Sequence, residues 1–310
     1  MRVQRIIVPT AITLFWLIMM GLLVRNHVLP RPTAADSLEI NPALLTERWE
    51  DYEEWMNLTV GGRSEGVSYT SICQLPQGEG YIAANRVRLA LDLLGQRHDF
   101  RLQTVAALDS LFRLERAAAQ VSLDESRLRF EALAEGLNFF YRLEYEGQSR
   151  VGSSRLDKPI SLLEAVRPLL ARRLDLAVGA VYRLPVLDST WSLRQGWAEV
   201  RVEAHERVRV AGKPTGAYRL VFQLGPFSST TWVTRRGEVL RREFANNIVM
   251  ERTEREDARK RFPGIDDPIE MPKVERSDFR RKTTDGSAPD EEIGPLNLLG
   301  QILLKAGNPR

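Results

Sequence analysis

Few side chains in this chain could carry acid–base, nucleophilic or metal chemistry. There are three histidines, His27, His98 and His205, and one cysteine, Cys73. Zinc needs His and Cys ligands at short, paired spacings. No HExxH and no Cys/His cluster occurs, so a metal site has no ligand set. A nucleotide needs a glycine-rich cradle opening a helix. Neither GxxxxGK[ST] nor a GxGxxG after a strand is present. Cys73 lies in TSICQLP, the end of a strand pattern. A thiolate is stabilised at a helix N-terminus or beside a cation. This setting offers neither, so Cys73 reads as an inert thiol. His98, beside Asp99, reads as structural, and His205 falls among Glu and Arg on a polar strand face. Carboxylates are plentiful, but they alternate with arginines and read as cross-strand charge pairs. No catalytic residue, cofactor or metal is expected.

The aromatic and aliphatic residues are more informative. Trp55, Tyr69, Phe139, Tyr141, Val200, Val202, Tyr218, Leu220 and Phe222 are spread over the strand patterns. They form the expected core, or the lining of an apolar cavity if the sheet that carries them is curved.

That sheet is read from period-two alternation. From Ala198 to Val210, Ala198, Val200, Val202, Ala204, Val208 and Val210 are apolar, and the residues between are Glu, His and Arg. The same alternation runs through Val87–Leu93, Phe100–Leu108, Leu128–Ala132, Phe139–Tyr145 and Tyr218–Leu224. Turn residues separate the runs: Gly61-Gly62, Pro76 to Gly80, Asp124-Glu125, Gly147, Gly212 to Gly216 and Arg235 to Glu238. Short connections join antiparallel neighbours, and half-wet strands argue against a parallel sheet covered on both faces. Roughly ten to twelve strands are expected by this pattern. Ile160, Leu162, Leu163, Val166, Leu169 and Leu170 instead share a helical stripe. The expected fold is mainly β: a large curved antiparallel sheet, half-barrel or lipoprotein-carrier-like, with one or two short helices.

Before the sheet, residues 6–24 carry no charge and are bracketed by Arg5 and Arg25. As a helix they would span roughly 28 Å, near the thickness of a bilayer core. This run is longer than the apolar part of a secretory signal, about 7–15 residues, which favours an anchor over a cleaved peptide. The expected organisation is a transmembrane signal anchor over 1–25, a linker over 26–46 and the curved β-domain over 47–262. The remainder, 263–310, is expected to be a mostly disordered tail with a short apolar helix near 295–305. Leu296, Leu299, Ile302 and Leu303 can share one face of that helix and are the candidate docking residues for a partner. The charge balance, 44 Lys+Arg against 41 Asp+Glu, gives no nucleic-acid signal. With one cysteine an internal disulfide is excluded.

Two stretches carry a resemblance. Trp55-Met56-Asn57-Leu58 with Gly61-Gly62-Arg63, Gly66 and Tyr69 is similar to the opening hairpin of bacterial envelope β-domains that precede transglutaminase-like cores. Gly237 to Glu243, Ile248 to Thr253 and Asp257-Ala258 resemble the closing strands of the same domains. The likeness covers roughly residues 50–260 and implies a sheet like that of periplasmic lipoprotein carriers, here without the transglutaminase core. On this basis the chain is expected to sit in a bacterial inner membrane by a single pass, with its bulk periplasmic. A non-enzymatic domain binding an apolar or lipidic envelope ligand, or serving as an accessory subunit in envelope assembly or transport, is the first expectation. Its partners would be the membrane itself, lipid or lipoprotein, or another envelope protein. A protein-interaction module docking through the C-terminal segment is the second. An enzyme with an unrecognised site comes last.

Overall fold

Among the described residues the alternation resolves into fifteen strands of a single sheet. A computed structural model describes residues 38–39, 51–93, 96–160, 176–188, 194–225, 227–244, 247–267, 269, 271 and 273–279. A two-residue strand, β1 (Leu38–Glu39), precedes the first half: β2 (Tyr52–Val60), β3 (Arg63–Gln74), β4 (Gly80–Leu93), β5 (Gln96–Asp109), β6 (Leu114–Leu123), β7 (Ser126–Glu135), β8 (Asn138–Tyr145) and β9 (Gln148–Arg155). The second half is β10 (Val181–Asp188), β11 (Arg194–Val210), β12 (Lys213–Leu224), β13 (Phe227–Val233), β14 (Val239–Phe244) and β15 (Ile248–Arg252). One short helix, α1 (Arg255–Arg261), follows.

The spatial order is β1-β10-β11-β12-β13-β14-β15-β2-β3-β4-β5-β6-β7-β8-β9. Each half is therefore a meander of hairpins, and the halves are joined by antiparallel pairing of β15 with β2. Only β1, laid parallel on β10, departs from the antiparallel rule. Tight turns follow the glycines where the backbone demands them. Gly61 and Gly62, at φ +60° and +85°, close the β2–β3 hairpin in the left-handed region that suits the twist of paired strands.

The sheet curls because its inner face is largely apolar. Met56, Leu58 and Ile72 from the first strands share one buried cluster with Phe139 of β8 and with Leu184, Val200 and Leu220 of β10 to β12. Strands far apart in sheet order thus meet across the interior, which flattens the curl into a packed core. The outer face is charged where it is wet. Arg183 bridges Glu199 at 3.3 Å, Arg219 bridges Glu203 at 3.3 Å, and Arg241 bridges Glu251 at 3.0 Å. These are the cross-strand pairs expected from the alternation, each worth roughly 0.2–1 kcal/mol. Against the interior edge, Tyr141 lays its ring over Gly152 of β9. A Cβ there would stand 2.3 Å from the ring, so glycine is what lets the aromatic cover the last strand.

Three features depart from the sequence pattern. First, the alternation in β11 is broken by a bulge between Val202 and Ala204. One extra residue exchanges the faces. Val208 and Val210, in phase with Val202 by sequence, instead pack outside on Ala217, Trp232 and Leu240. Second, Trp55 and Tyr69 point outward. They form a separate cluster with Val67, Ala258 and Ile265, because α1 and the segment to residue 267 lie across the outer face of β2 to β4. Third, part of the stretch that composition assigned to the tail is packed. Ile265, Val274 and Phe279 are buried, and Phe279 meets Phe140 of β8 with ring centroids 6.3 Å apart. The helical stripe over 160–172 lies outside the described residues, apart from Ile160, which is buried in the main core. Residues 6–24, Leu296, Leu299, Ile302 and Leu303 also lie outside them. Among the described residues no helix is long and apolar enough to cross a membrane.

The strap formed by α1 and residues 262–267 is held mainly by charge. Asp266 accepts hydrogen bonds from Arg255 at 3.2 Å and from Arg259 at 2.9 Å. Arg86, buried on β4, donates to the Ile265 carbonyl at 2.8 Å. The Arg259 hydrogen bond holds the Asp266 carboxyl below the usual carboxylate range. A depressed folded pKa contributes stability that is present above the unfolded value, about 3.9, and is lost as pH falls through the folded value. Acidification below about pH 4 is therefore expected to loosen the strap before the sheet melts. Amide exchange of residues 255–267 should rise in that window. An Asp266→Asn variant, already loosened at neutral pH, should show no further acid step there. A strap whose exchange is flat from pH 6 to pH 2 would overturn this.

Candidate functional site

The inner face carries charge where β2 and β14 approach each other on either side of β15. In β2, Tyr52, Glu54, Met56 and Leu58 share the inward phase, so Glu54 is committed to the interior by the residues flanking it. In β14, Arg242 points inward beside Phe244, opposite Met250 of β15 and Thr231 of β13. The two meet across the junction of the halves. The Arg242 Nη2 lies 2.8 Å from Glu54 Oε1 and 3.1 Å from Oε2. The Tyr52 hydroxyl donates to Glu54 Oε2 at 2.5 Å. Both charged side chains are buried. An ion pair taken out of water persists when its remaining oxygens and protons are hydrogen-bonded.

The polar character continues sideways. The cross-strand register places Glu54, Thr70, Asn85 and Thr104 in one row across β2 to β5. Asn85 Nδ2 donates to Thr70 Oγ1 at 2.8 Å and to Ser68 Oγ at 3.3 Å. Thr231, opposite Arg242, is 1% exposed. Its hydroxyl is buried with no hydrogen-bond partner among the described residues. Such a group is costly unless something satisfies it.

Small side chains lie next to this row. Ala83, Ala106, Ala117 and Ala132 are opposite one another across β4 to β7, and all are buried. The inner face thus combines a charged group, an unsatisfied hydroxyl and a stripe of minimal side chains. Those alanines belong to the packed interior cluster, so a molecule with one polar end and an apolar body would have to open that packing to lie along them.

The residues singled out from sequence divide between the two faces. Phe139, Val200, Val202, Leu220 and Phe222 are buried in the main interior cluster, with Tyr141 and Tyr218 packed against it. Trp55 and Tyr69 belong to the outer cluster under the strap. Glu54, Arg242, Asn85 and Thr231 were hidden among ordinary strand charges and hydroxyls. Their signal was phase: Glu54 alternates in step with Met56 and Leu58, and Arg242 in step with Phe244.

The other chemically capable residues are placed in ways that restrain them. Cys73 is exposed on β3, but partial desolvation of its thiol, with Asp51 and Glu53 nearby, raises the thiol pKa and disfavours the thiolate. His98 Nδ1 is 2.6 Å from Asp124 Oδ2 in the β6–β7 turn. Asp124 also accepts the Asp99 N–H at 3.0 Å, and these bonds hold its carboxyl below the usual range. The pair therefore pins a turn. Beside it an open groove of about 370 Å³ on the outer face is lined by Arg101, Gln103, Gln120, Ser122 and Arg127. His205 is exposed and stacks on Tyr218, with ring centroids 4.6 Å apart. Among the described residues no group of three or more His, Cys, Asp or Glu could hold a metal. His27 lies outside them.

No family model matches the chain, and no curated protein matches it. It is similar to a solved beta-barrel-like protein of domain of unknown function DUF1849 from Brucella abortus. That likeness has 14% identity and a TM-score of 0.47, and covers 65% of this chain and 94% of that one. A DUF1089 family protein from Pseudomonas aeruginosa matches at 12% identity and a TM-score of 0.25, covering 64% of this chain and 94% of that one.

Proposed function

We propose that this chain is a non-enzymatic β-domain of the bacterial envelope, anchored by residues 6–24, that binds an amphipathic, lipid-like ligand on its inner face. The observation that carries the reading is the unpartnered Thr231 hydroxyl opposite Arg242, buried on a largely apolar face. The ligand's polar end would accept from Thr231 and lie beside the Arg242–Glu54 pair. Its apolar body would lie along Ala83, Ala106, Ala117 and Ala132, where small side chains leave the least to displace. The raised Cys73 thiol and the turn-pinning His98 support a binding role over a catalytic one.

Photo-crosslinking tests this on the full chain. A fatty acid carrying a diazirine in its acyl chain is irradiated with the purified protein, and adducts are mapped by peptide mass spectrometry. Adducts on the inner-face peptides of β5 to β7, reduced in a Thr231→Val variant, are expected. Adducts confined to residues 6–24 or to outer-face peptides would overturn the proposal.

A further inference from the structure

The strap of α1 and residues 262–267 covers a surface whose donors it does not satisfy. The strand register sets Trp55, Tyr69 and Arg86 side by side across β2, β3 and β4. They are 7%, 9% and 6% exposed, and Trp55 and Tyr69 pack on Ala258 and Ile265 of the strap. The Trp55 indole Nε1 and the Arg86 Nε are both buried with no hydrogen-bond partner among the described residues. Arg86 gives Nη1 to the Ile265 carbonyl, and among the described residues no carboxylate bridges it. Burial pushes its pKa down, the mark of a cation short of counter-charge. Two residues on, Arg88 also meets the strap at a carbonyl, that of Pro263, at 3.2 Å.

The acids nearby are committed elsewhere. Asp266 is held by Arg255 and Arg259, so its bonds fold the strap on itself and do not fasten it to the sheet. Asp267 is exposed and turns back on Gly264, where a Cβ would stand 2.6 Å from its Oδ2. Glu53 accepts from the Tyr69 hydroxyl at 3.2 Å and lies 3.9 Å from Arg255. The closed strap therefore leaves two N–H groups dry, and lifting it would return both to water. A cover that fits its seat incompletely is one that a better occupant can replace.

We infer that the outer face of β2 to β4 is a peptide-docking surface covered by the strap, and that its partner is a protein C-terminus: a carboxylate beside an apolar side chain. A carboxylate set where the Ile265 carbonyl now lies offers two oxygens to the guanidinium fork, where one carbonyl offers a single acceptor. It also supplies the counter-charge that Arg86 and Arg88 lack. The apolar side chain takes the place of Ile265 against Trp55, Val67 and Tyr69. When the strap lifts, Arg255, Arg259 and Arg261 leave with it, and Arg86 and Arg88 stay on β4. Apart from the inward Glu54, the acids left on β2 and β3 are Glu53, bonded to Tyr69, and Glu65, beside the β2–β3 turn. Capture of a terminal carboxylate by fixed donors next to an apolar slot is an established mode of peptide recognition.

Fluorescence anisotropy on the full chain tests this with a fluorescein-labelled tetrapeptide, Phe-Pro-Gly-Ile, the strap's own sequence over 262–265. It is made as the free acid and as the amide. The acid is expected to bind about tenfold tighter than the amide. It should bind tighter still to Asp266→Asn, whose strap is already loosened, and should raise amide exchange over residues 255–267. Arg86→Gln should erase the preference for the acid, and Arg86→Lys should keep part of it. The acid–amide comparison on the parent chain stands even if a variant at Arg86 folds poorly. Equal binding of acid and amide overturns the carboxylate partner. Binding of neither, even to Asp266→Asn, overturns the docking surface, as does binding that leaves exchange over 255–267 unchanged.

Discussion

Replacing Arg242 with methionine is expected to destabilise the domain by about 3–5 kcal/mol, because Glu54 is left buried without its counter-charge. The Tyr52 hydroxyl remains on Glu54 Oε2, but one neutral donor does not offset a desolvated carboxylate. The decisive comparison is the double variant Glu54→Leu with Arg242→Met. Removing both charges together is expected to be near neutral, or stabilising by about 1–4 kcal/mol. Urea unfolding at pH 7 measures all three proteins. A single Arg242→Met within 1 kcal/mol of the parent would show that the pair is solvated and the site misread. The double variant also separates stability from function. It should fold well and yet lose the inner-face adducts of the diazirine fatty acid.

The second large effect is expected at Phe112. This residue is fully buried in the β5–β6 turn, stacks on Tyr81 with centroids 5.2 Å apart, and has φ +62°. A bulky residue in the left-handed region is strained, and the turn holds it there. The Phe112 N–H donates to the Asp109 carbonyl at 2.9 Å, and Asp109 Oδ1 accepts from Leu111 and Arg113. Phe112→Ala keeps the strain and loses the packing, so a cost of about 3–5 kcal/mol is expected. Phe112→Gly loses the same packing but relieves a penalty of roughly 1–2 kcal/mol for an L residue in this conformation. The usual order should therefore invert, with glycine at least as stable as alanine. Thermal or urea denaturation of the two variants checks this. Alanine clearly above glycine would mean the turn relaxes out of the left-handed region.

These sites mark how far the sequence could be read. The strand runs from Val87 to Leu108 and from Phe139 to Tyr145 show plain alternation, and the observed strands follow it. Polar β9, with Ser149, Ser153 and Ser154, has no such contrast and was not distinguished. A bulge is invisible to periodicity, so Val208 and Val210 were assigned to the face they leave. Trp55 and Tyr69 face outward because a segment some 200 positions later covers them, a tertiary fact that no local window contains. Glu54 and Arg242 were legible in phase but masked by type, since charges on strands are ordinarily wet. The pairing that makes them a unit joins residues 188 positions apart.

The junction of β15 with β2 has a consequence for how the chain acquires its structure. Thr59 hydrogen-bonds the Val249 carbonyl across 190 positions of sequence, whereas most other strand pairs are neighbouring hairpins. The β2–β9 meander can form step by step as it is synthesised, at the speed of local hairpins. Its first strand must then wait, edge open and with Glu54 unmatched, until nearly all of the domain has been made. The final closure is a slow, long-range event. Until it occurs the nascent chain exposes an unpaired β2, a template for wrong partners. A chain truncated before β15 should therefore aggregate rather than persist as a smaller sheet.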